Sequence, residues 1–264
     1  MSEAKDPPKP ASTVLIVRDA AEPGKGLEVL MVRRSAGMAF GASAWVFPGG
    51  KVAAADAAPE WDEWSDGSYS HHDRSLRIAA AREVFEESGL VLATARDGSQ
   101  ASVEMCASLD GMRGVVEKNP EKFLPLMKQA GLRLSLDRLV PFAHWITPAF
   151  EPRRFDTYFF LVRAPADQIV RHDGREAVDH SWVAPLDLIE KRKAGEVKLM
   201  FPTRLNLQVL ARSASAAEAE AAARVAPVVT VEPRVEVRGD TKVLVIPAEA
   251  GYGLTEERLS EVLG

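Results

Sequence analysis

Residues 82–90 read REVFEESGL, and this short stretch decides how the rest of the chain is interpreted. On a helix, Glu83, Glu86 and Glu87 stand three and four positions apart, so their carboxylates share one face. Three carboxylates on one face repel each other, and a hard divalent cation removes that penalty because it prefers carboxylate oxygens. Arg82 lies beside the cluster and could hold one carboxylate through a bidentate pair. Taken alone, the same pattern also fits a solvated acidic helix face.

The surrounding sequence predicts a mixed fold around this helix. An apolar stripe containing Leu76, Ala80 and Val84 predicts a helix over residues 74–88, and Gly89 is the expected residue at its end. Strands are predicted over residues 13–18, 27–33, 91–94, 139–146, 154–162 and 181–183. Two later helices, over residues 185–193 and 202–223, precede a terminal hairpin formed by 228–237 and 242–246. We therefore expect an α+β fold, an α/β/α sandwich with a mixed β-sheet between helices.

One domain is expected over residues 12–250, between a disordered lead over 1–11 and a C-terminal tail over 251–264. An inserted loop over residues 53–70 has no clear hydrophobic period and holds Trp61 and Trp64. We expect this loop to form a flap beside the substrate, outside the core. Residues 100–131 are predicted to be a helical insertion that covers one side of the domain.

Composition argues against several classes of protein. The 264 residues carry a formal net charge of -5, which gives no support for a nucleic-acid partner. No apolar run reaches the ~18 residues that a membrane span requires. The single cysteine, Cys106, excludes an intrachain disulfide, and the polar N-terminus has no apolar signal core. We expect a cytoplasmic protein with a small-molecule partner, and the sequence leaves open whether it forms a homodimer.

The helix resembles that of the Nudix hydrolases, in which a glycine-led loop precedes a helix reading R-E-apolar-x-E-E-x-G-apolar. Residues 82–90 match every fixed position of that helix. The loop departs from the pattern, because the segment from Gly50 to Arg82 is about 18 residues longer than usual and Asp56 stands where a Glu is usual. Four further stretches are similar to the coenzyme A diphosphatase-like branch: RRS at 33–35, AWVFPGG at 44–50, WITP at 145–148 and RFDTYFF at 154–160.

The resemblance implies a metal centre that uses Mg²⁺ or Mn²⁺ as cofactor. Glu83 and Glu87 would be the main ligands, Glu86 would complete the cluster directly or through water, and the carbonyl of Gly50 would add an oxygen. Arg82 would orient the glutamates. The metals of such enzymes polarise a diphosphate and activate a water for attack at phosphorus. Whether Asp56 replaces the usual Glu is left open by the long insertion.

The implied substrate is a small nucleotide-containing diphosphate. Coenzyme A or an acyl-CoA is the first hypothesis, and ADP-ribose or a dinucleotide is the alternative. A non-catalytic nucleotide-binding or regulatory protein is the hypothesis from another class, and the intact Arg82 and glutamates argue against it.

A further carboxylate of this family often comes from a loop before a late strand. Glu176 lies in such a loop and is the candidate base or extra ligand, with Asp179 and a plain surface role as alternatives. Arginine forks suit phosphate. If the two strands that carry them lie close together, the candidate substrate ligands are Arg33, Arg34, Arg153 and Arg154. Phe40 and Trp45 are candidates for stacking on a base, with core packing as the alternative for each.

Overall fold

The computed structural model describes residues 6–22, 24–34, 43–165, 168, 170 and 177–263. The strands are β1 (Lys9–Asp19), β2 (Leu27–Arg34), β3 (Trp45–Val46), β4 (Gly49–Lys51), β5 (Ala93–Ala95), β6 (Leu132–Leu134), β7 (Val140–Ile146), β8 (Phe155–Arg163), β9 (Ala177–Val183), β10 (Thr230–Val231), β11 (Arg234–Arg238), β12 (Thr241–Val245) and β13 (Glu256–Arg258). The helices are α1 (Trp61–Trp64), α2 (His71–Ser88), α3 (Val103–Ser108), α4 (Arg113–Lys118), α5 (Phe123–Ala130), α6 (Pro185–Lys193), α7 (Phe201–Leu210), α8 (Ala216–Val225) and α9 (Leu259–Leu263).

Strand β1 is the centre of the main sheet. It pairs in parallel with β8 along nearly its whole length, and its other edge pairs antiparallel first with β4 and then with β2. The strand order is β10-β7-β8-β1-β2-β3, and β9 also pairs with β2. The consecutive apolar residues from Val14 to Val17 are fully buried, as is typical of a strand covered on both faces.

Two separate cores show that helices cover both faces of this sheet. On one face, Val14, Ile16 and Leu30 pack with the buried side of α2. On the other face, Leu15 and Val17 pack with α6, α7 and α8. The two-period alternation of a strand sends neighbouring side chains to opposite faces, which accounts for the division. The predicted α+β fold, an α/β/α sandwich around a mixed sheet, is therefore confirmed.

Helix α2 begins three residues before the predicted start. The side chain of Ser70 accepts a hydrogen bond from the backbone N–H of Asp73, which is the usual role of an N-cap serine. The helix ends as predicted, with Gly89 in the left-handed conformation at φ 74° and its N–H donating to the carbonyl of Phe85. The bounds of α2 are thus set by short-range interactions at both ends.

The inserted loop over residues 53–70 differs from the predicted flap. Trp61 is 1% exposed and Trp64 is 8% exposed, and both belong to the core on the α2 face. The ring of Trp61 lies 5.6 Å from that of Phe123 in α5. The prediction was wrong because a segment without hydrophobic periodicity can still anchor itself by a few large aromatic side chains.

The two ends of the predicted domain also need correction. Strand β1 starts at Lys9, inside the expected disordered lead, because the backbone there is paired with β8. The expected tail beyond residue 250 is part of the fold. Tyr252 is buried, its hydroxyl accepts from Trp145 Nε1 at 2.8 Å and donates to Asn206 at 2.7 Å, and β13 extends the predicted hairpin of β11 and β12.

The remaining predicted elements lie close to their observed positions. Residues 100–131 contain α3, α4 and α5, in agreement with a helical insertion. The single helix predicted over residues 202–223 is divided into α7 and α8, because Ser215 starts a new helix by accepting from the N–H of Glu218. Within the described ranges, no helix combines the length and apolar character needed to cross a membrane.

Candidate active site

Gly49 and Gly50 at the start of β4, here called the glycine turn, and the C-terminal half of α2 form the centre of the candidate site. A Cβ at Gly50 would lie 2.4 Å from a carboxylate oxygen of Glu83, so a larger residue at this position would displace that carboxylate. The backbone N–H of Gly49 donates to Glu87 Oε2 at 3.1 Å. The structure therefore brings Gly50, Glu83 and Glu87 together, as the sequence predicts.

Arg82 lies at the centre of the charged cluster, contacts three of its carboxylates and is 3% exposed. Its Nε and Nη2 donate to the two carboxylate oxygens of Asp56, each at 2.9 Å. Its Nη1 donates to Glu83 at 2.9 Å and to Glu86 at 3.0 Å, and Nη2 also reaches the carbonyl of Lys51 at 2.8 Å. A planar guanidinium with five donors suits such a set of acceptors. Arg82 thus fixes two of the three glutamates relative to the glycine turn.

Asp56, which stands where a Glu is usual in the family, pairs with Arg82 in the structure. It is 1% exposed and its bidentate pair with Arg82 ties the start of the inserted segment to α2. Burial alone would lower the pKa of Arg82, but the hydrogen bonds to Asp56 and the nearby carboxylates raise it above its usual value. The guanidinium therefore stays charged, and Asp56 contacts Arg82 without contacting the three glutamates in any hydrogen bond described.

The cluster carries more negative than positive charge in a buried place. Burial raises the pKa of Glu86 to about 8, with the charge of Glu83 adding to the shift and Arg82 opposing it. Within the part of the chain that the structure describes, no three His, Cys, Asp or Glu side chains are already grouped so as to hold a metal ion. Glu83 and Glu86 are both directed to Arg82. By donor type and by uncompensated charge, these oxygens nevertheless fit a hard divalent cation.

Two predicted substrate ligands, Arg33 and Trp45, lie side by side. They are paired across β2 and β3, and with Lys198 they line a cleft of about 440 Å³. The backbone N–H of Trp45 donates to the carbonyl of Lys198 at 3.0 Å, which joins the cleft to the segment between α6 and α7. Trp45 is half-buried and packs on the core opposite α2, so it serves both packing and the wall of the cleft. Lys198 has no local sequence pattern that marks it as a candidate ligand.

Three of the predicted arginines, Arg33, Arg153 and Arg154, do not form one cluster. Strand β1 lies between β2, which carries Arg33, and β8, which follows Arg154. Arg154 donates to the carbonyl of Thr147 at 3.0 Å and to Glu232 at 2.6 Å, while Arg153 is exposed. The predicted cluster required the two strands that carry these arginines to be neighbours in the sheet. They are not neighbours, because β1 pairs in parallel with β8 and lies between β8 and β2.

Several predicted residues cannot be placed. Phe40 and Glu176 lie outside the described residues, as do the side chains of Arg34 and Asp179.

The comparisons with known proteins agree with this geometry. The family model for the NUDT19 Nudix domain matches residues 62–210, and that for the NUDIX domain matches residues 7–105. The chain is 27% identical over 217 residues to the acyl-coenzyme A diphosphatase NUDT19 of Xenopus laevis, covering 66% of this chain and 57% of that protein. It is 27% identical over 235 residues to the human protein of the same name, covering 73% of this chain and 63% of that protein.

The chain therefore spans less than two thirds of the length of these relatives. Among solved structures, a NUDIX hydrolase from Alicyclobacillus acidocaldarius superimposes with a TM-score of 0.70 at 26% identity, covering 83% of this chain and 97% of that one. The NUDT19 Nudix model alone matches more than half of the chain, and its range includes the whole of α2. The chain belongs to the Nudix hydrolase family, in the branch described by the NUDT19 Nudix domain.

Proposed function

We propose that this chain is a divalent-metal-dependent hydrolase that cleaves the diphosphate linkage of coenzyme A or an acyl-CoA. The observation that carries the proposal is the buried cluster in which Arg82 directs Glu83 and Glu86 beside Gly50. Glu87 completes the face through its contact with Gly49. The names of the relatives, acyl-coenzyme A diphosphatases, support the substrate class.

The division of roles follows from the contacts in this cluster. Glu83, Glu86, Glu87 and the carbonyl of Gly50 would hold Mg²⁺ or Mn²⁺ through oxygen donors. When bound, such an ion polarises a phosphoryl oxygen and makes a bound water more acidic. Arg82 stays charged and keeps two of the carboxylates in place. Glu176 remains our candidate for the base that accepts the proton of the attacking water.

The cleft of about 440 Å³ beside Trp45 supports a nucleotide as the substrate. Only three residues separate Trp45 from Gly49, so the backbone of Trp45 lies at most about 13 Å from that of Gly49. Coenzyme A carries a 3′-phosphate in addition to its diphosphate, and this phosphate needs cations beyond the metal centre. Arg33 and Lys198 outnumber the one acidic residue of the cleft lining, Glu196, and Trp45 offers a surface on which a base can stack.

The metal requirement is tested with purified protein, coenzyme A and product identification by mass. We expect 3′,5′-ADP to be released with Mg²⁺ or Mn²⁺ and no release with EDTA. Glu87→Gln should lower kcat by about a hundredfold or more, the scale of losing one group that stabilises the transition state. Glu63→Gln is the matched control, because Glu63 is exposed and pairs only with the surface residue Arg96 among the contacts described. Full activity of Glu87→Gln in chelated buffer would contradict the mechanism.

The substrate assignment is tested by comparing coenzyme A with ADP-ribose, which lacks the 3′-phosphate. Lys198→Ala should lower kcat/KM for coenzyme A more than for ADP-ribose, by about 1.5–3 kcal/mol, the usual range for a hydrogen bond to a charged group. Lys193→Ala is the control, since Lys193 is the last residue of α6, a few residues before Lys198, and pairs with Glu190 on the surface. A wild-type enzyme that cleaves ADP-ribose or a dinucleotide and ignores coenzyme A would overturn the substrate and leave the hydrolase proposal intact.

A further inference from the structure

We infer that Arg113, in the helical insertion, is a positioning residue for the glutamates of α2, an inference that rests on the proposed function. Its Nε and Nη2 donate to the backbone carbonyl of Glu86 at 3.0 and 2.9 Å. The residue is 6% exposed, and its Nη1 pairs with Asp110 at 3.3 Å. A buried cation thus reaches from α4 to the end of the helix that carries the metal-ligand candidates.

The carbonyl that Arg113 contacts lies where a helix needs an external donor. The last four carbonyls of an α-helix lack partners within the helix, and Glu86 is one of these residues in α2. The carbonyl of Phe85 accepts from the N–H of Gly89, whereas that of Glu86 accepts from Arg113. A positive charge at this end also interacts favourably with the helix dipole. The two hydrogen bonds therefore stabilise the last turn of α2.

Two different arginines therefore hold Glu86, one at its side-chain carboxylate and the other at its backbone carbonyl. Arg82 binds its carboxylate at 3.0 Å, and Arg113 binds its carbonyl. The insertion also packs on the neighbouring residue, because the ring of Phe123 stacks on that of Phe85 at 5.8 Å. Rotation of the last turn would displace Glu86 and Glu87 together. The helical insertion thereby fixes the orientation of Glu86 and Glu87 through its contacts with the backbone and the packing of the last turn of α2.

The test compares Arg113→Met, which keeps an apolar stem and removes all donors, with Val116→Ala in the same helix. Val116 is fully buried, so its truncation weakens the packing of α4 without removing the hydrogen bonds to Glu86. Two substrate-free readouts are used: the Mn²⁺ dissociation constant from electron paramagnetic resonance, and hydrogen exchange of the amides at residues 88–91. Steady-state kinetics with coenzyme A provide the third.

For Arg113→Met we expect an Mn²⁺ dissociation constant raised about tenfold, the range found when a partner that orients a metal ligand is lost. The amides at 88–91 should exchange faster, and kcat should fall while KM stays within about twofold. Arg113→Lys keeps the charge and one donor direction, so it should restore part of the affinity. Val116→Ala should lower the melting temperature and leave the Mn²⁺ dissociation constant unchanged.

The inference is overturned if Arg113→Met and Val116→Ala weaken Mn²⁺ binding equally, since Arg113 would then act only through stability. If Arg113→Met does not fold, an Mn²⁺ dissociation constant of Arg113→Lys equal to wild type overturns it instead. Failure of the proposed function gives a different pattern. Wild-type protein that binds Mn²⁺ but leaves coenzyme A intact refutes the substrate, and wild-type protein that binds no Mn²⁺ refutes the metal centre. If the wild-type protein binds no Mn²⁺, the positioning role is judged by hydrogen exchange alone. An unchanged exchange rate of the amides at 88–91 in either Arg113 variant then overturns it.

Discussion

Replacing Asp56 with asparagine should destabilise the protein strongly, although the two side chains have the same shape. Asp56 accepts three hydrogen bonds, from Arg82 Nε and Nη2 at 2.9 Å and from the backbone N–H of Ala53 at 2.8 Å. Its carboxylate is 1% exposed, so water cannot replace a lost acceptor. In Asp56→Asn, one acceptor oxygen becomes an NH₂ group that faces a donor of Arg82.

The expected loss of unfolding free energy depends on the contacts that Arg82 retains in the variant. A hydrogen bond to a charged group contributes about 1.5–3 kcal/mol, and breaking a buried ion pair costs about 3–5 kcal/mol. In the variant Arg82 still contacts Glu83 and Glu86, so its charge is not left unpaired and the cost of breaking a whole buried ion pair does not apply. We therefore expect a loss of unfolding free energy of about 2–3 kcal/mol, within the range for a hydrogen bond to a charged group. For a protein of this size each kcal/mol shifts the melting temperature by about 2–4 °C, which gives a loss of about 4–12 °C.

The assay is urea denaturation followed by tryptophan fluorescence, with Asp62→Asn as the matched control. Asp62 also forms an ion pair, with Arg74, but its side chain is 61% exposed. Exposed pairs contribute about 0–1 kcal/mol, so Asp62→Asn should change stability little. If the two variants lose the same unfolding free energy, the buried pair of Asp56 and Arg82 does not support the fold as argued.

Three further changes test other parts of the structure. Gly50→Ala places a methyl group 2.4 Å from an oxygen of Glu83 and should lower kcat by about a hundredfold, whereas Gly111→Ala, with open space around it, should retain activity. Trp61→Ala should lower the unfolding free energy by about 3–5 kcal/mol in urea, and a loss below about 1 kcal/mol would place the inserted segment outside the core. Tyr252→Phe removes a buried hydroxyl with two hydrogen-bond partners and should cost about 1–3 kcal/mol by calorimetry; an unchanged melting temperature would contradict the integral role of the C-terminal segment.

The parts of the structure that the sequence predicts correctly depend on short-range patterns. The spacing of Glu83, Glu86 and Glu87 places them on one helical face, and Gly89 ends that helix through its own φ angle. The approach of Gly50 to Glu83 follows the family pattern despite the long insertion between them. The helical face and the end of the helix need only the helical period and the steric freedom of glycine, whereas the approach of Gly50 to Glu83 joins distant segments and is expected only from the resemblance to the Nudix family.

The parts that could not be predicted depend on contacts between distant segments. Asp56 is 26 residues from Arg82 and Arg113 is 27 residues from Glu86, and nothing in either local sequence specifies the partner. Trp61 lies in a segment without periodicity, so its burial beside Phe123 emerges only from the tertiary fold. The separation of the arginines likewise depends on strand order, which hydrophobic patterns alone do not determine.

The parallel pairing of β1 with β8 has a consequence for the synthesis of the protein. Lys9 pairs opposite Phe155, so the ribosome must add more than a hundred residues after β1 before its longest partner is made. At about 5–20 residues per second, this interval lasts on the order of 7–30 seconds. During that time one edge of an apolar strand can pair only with early segments or with other chains. Slower translation or overproduction should therefore increase aggregation of the nascent protein, and chaperone supply should affect its yield more than its final stability.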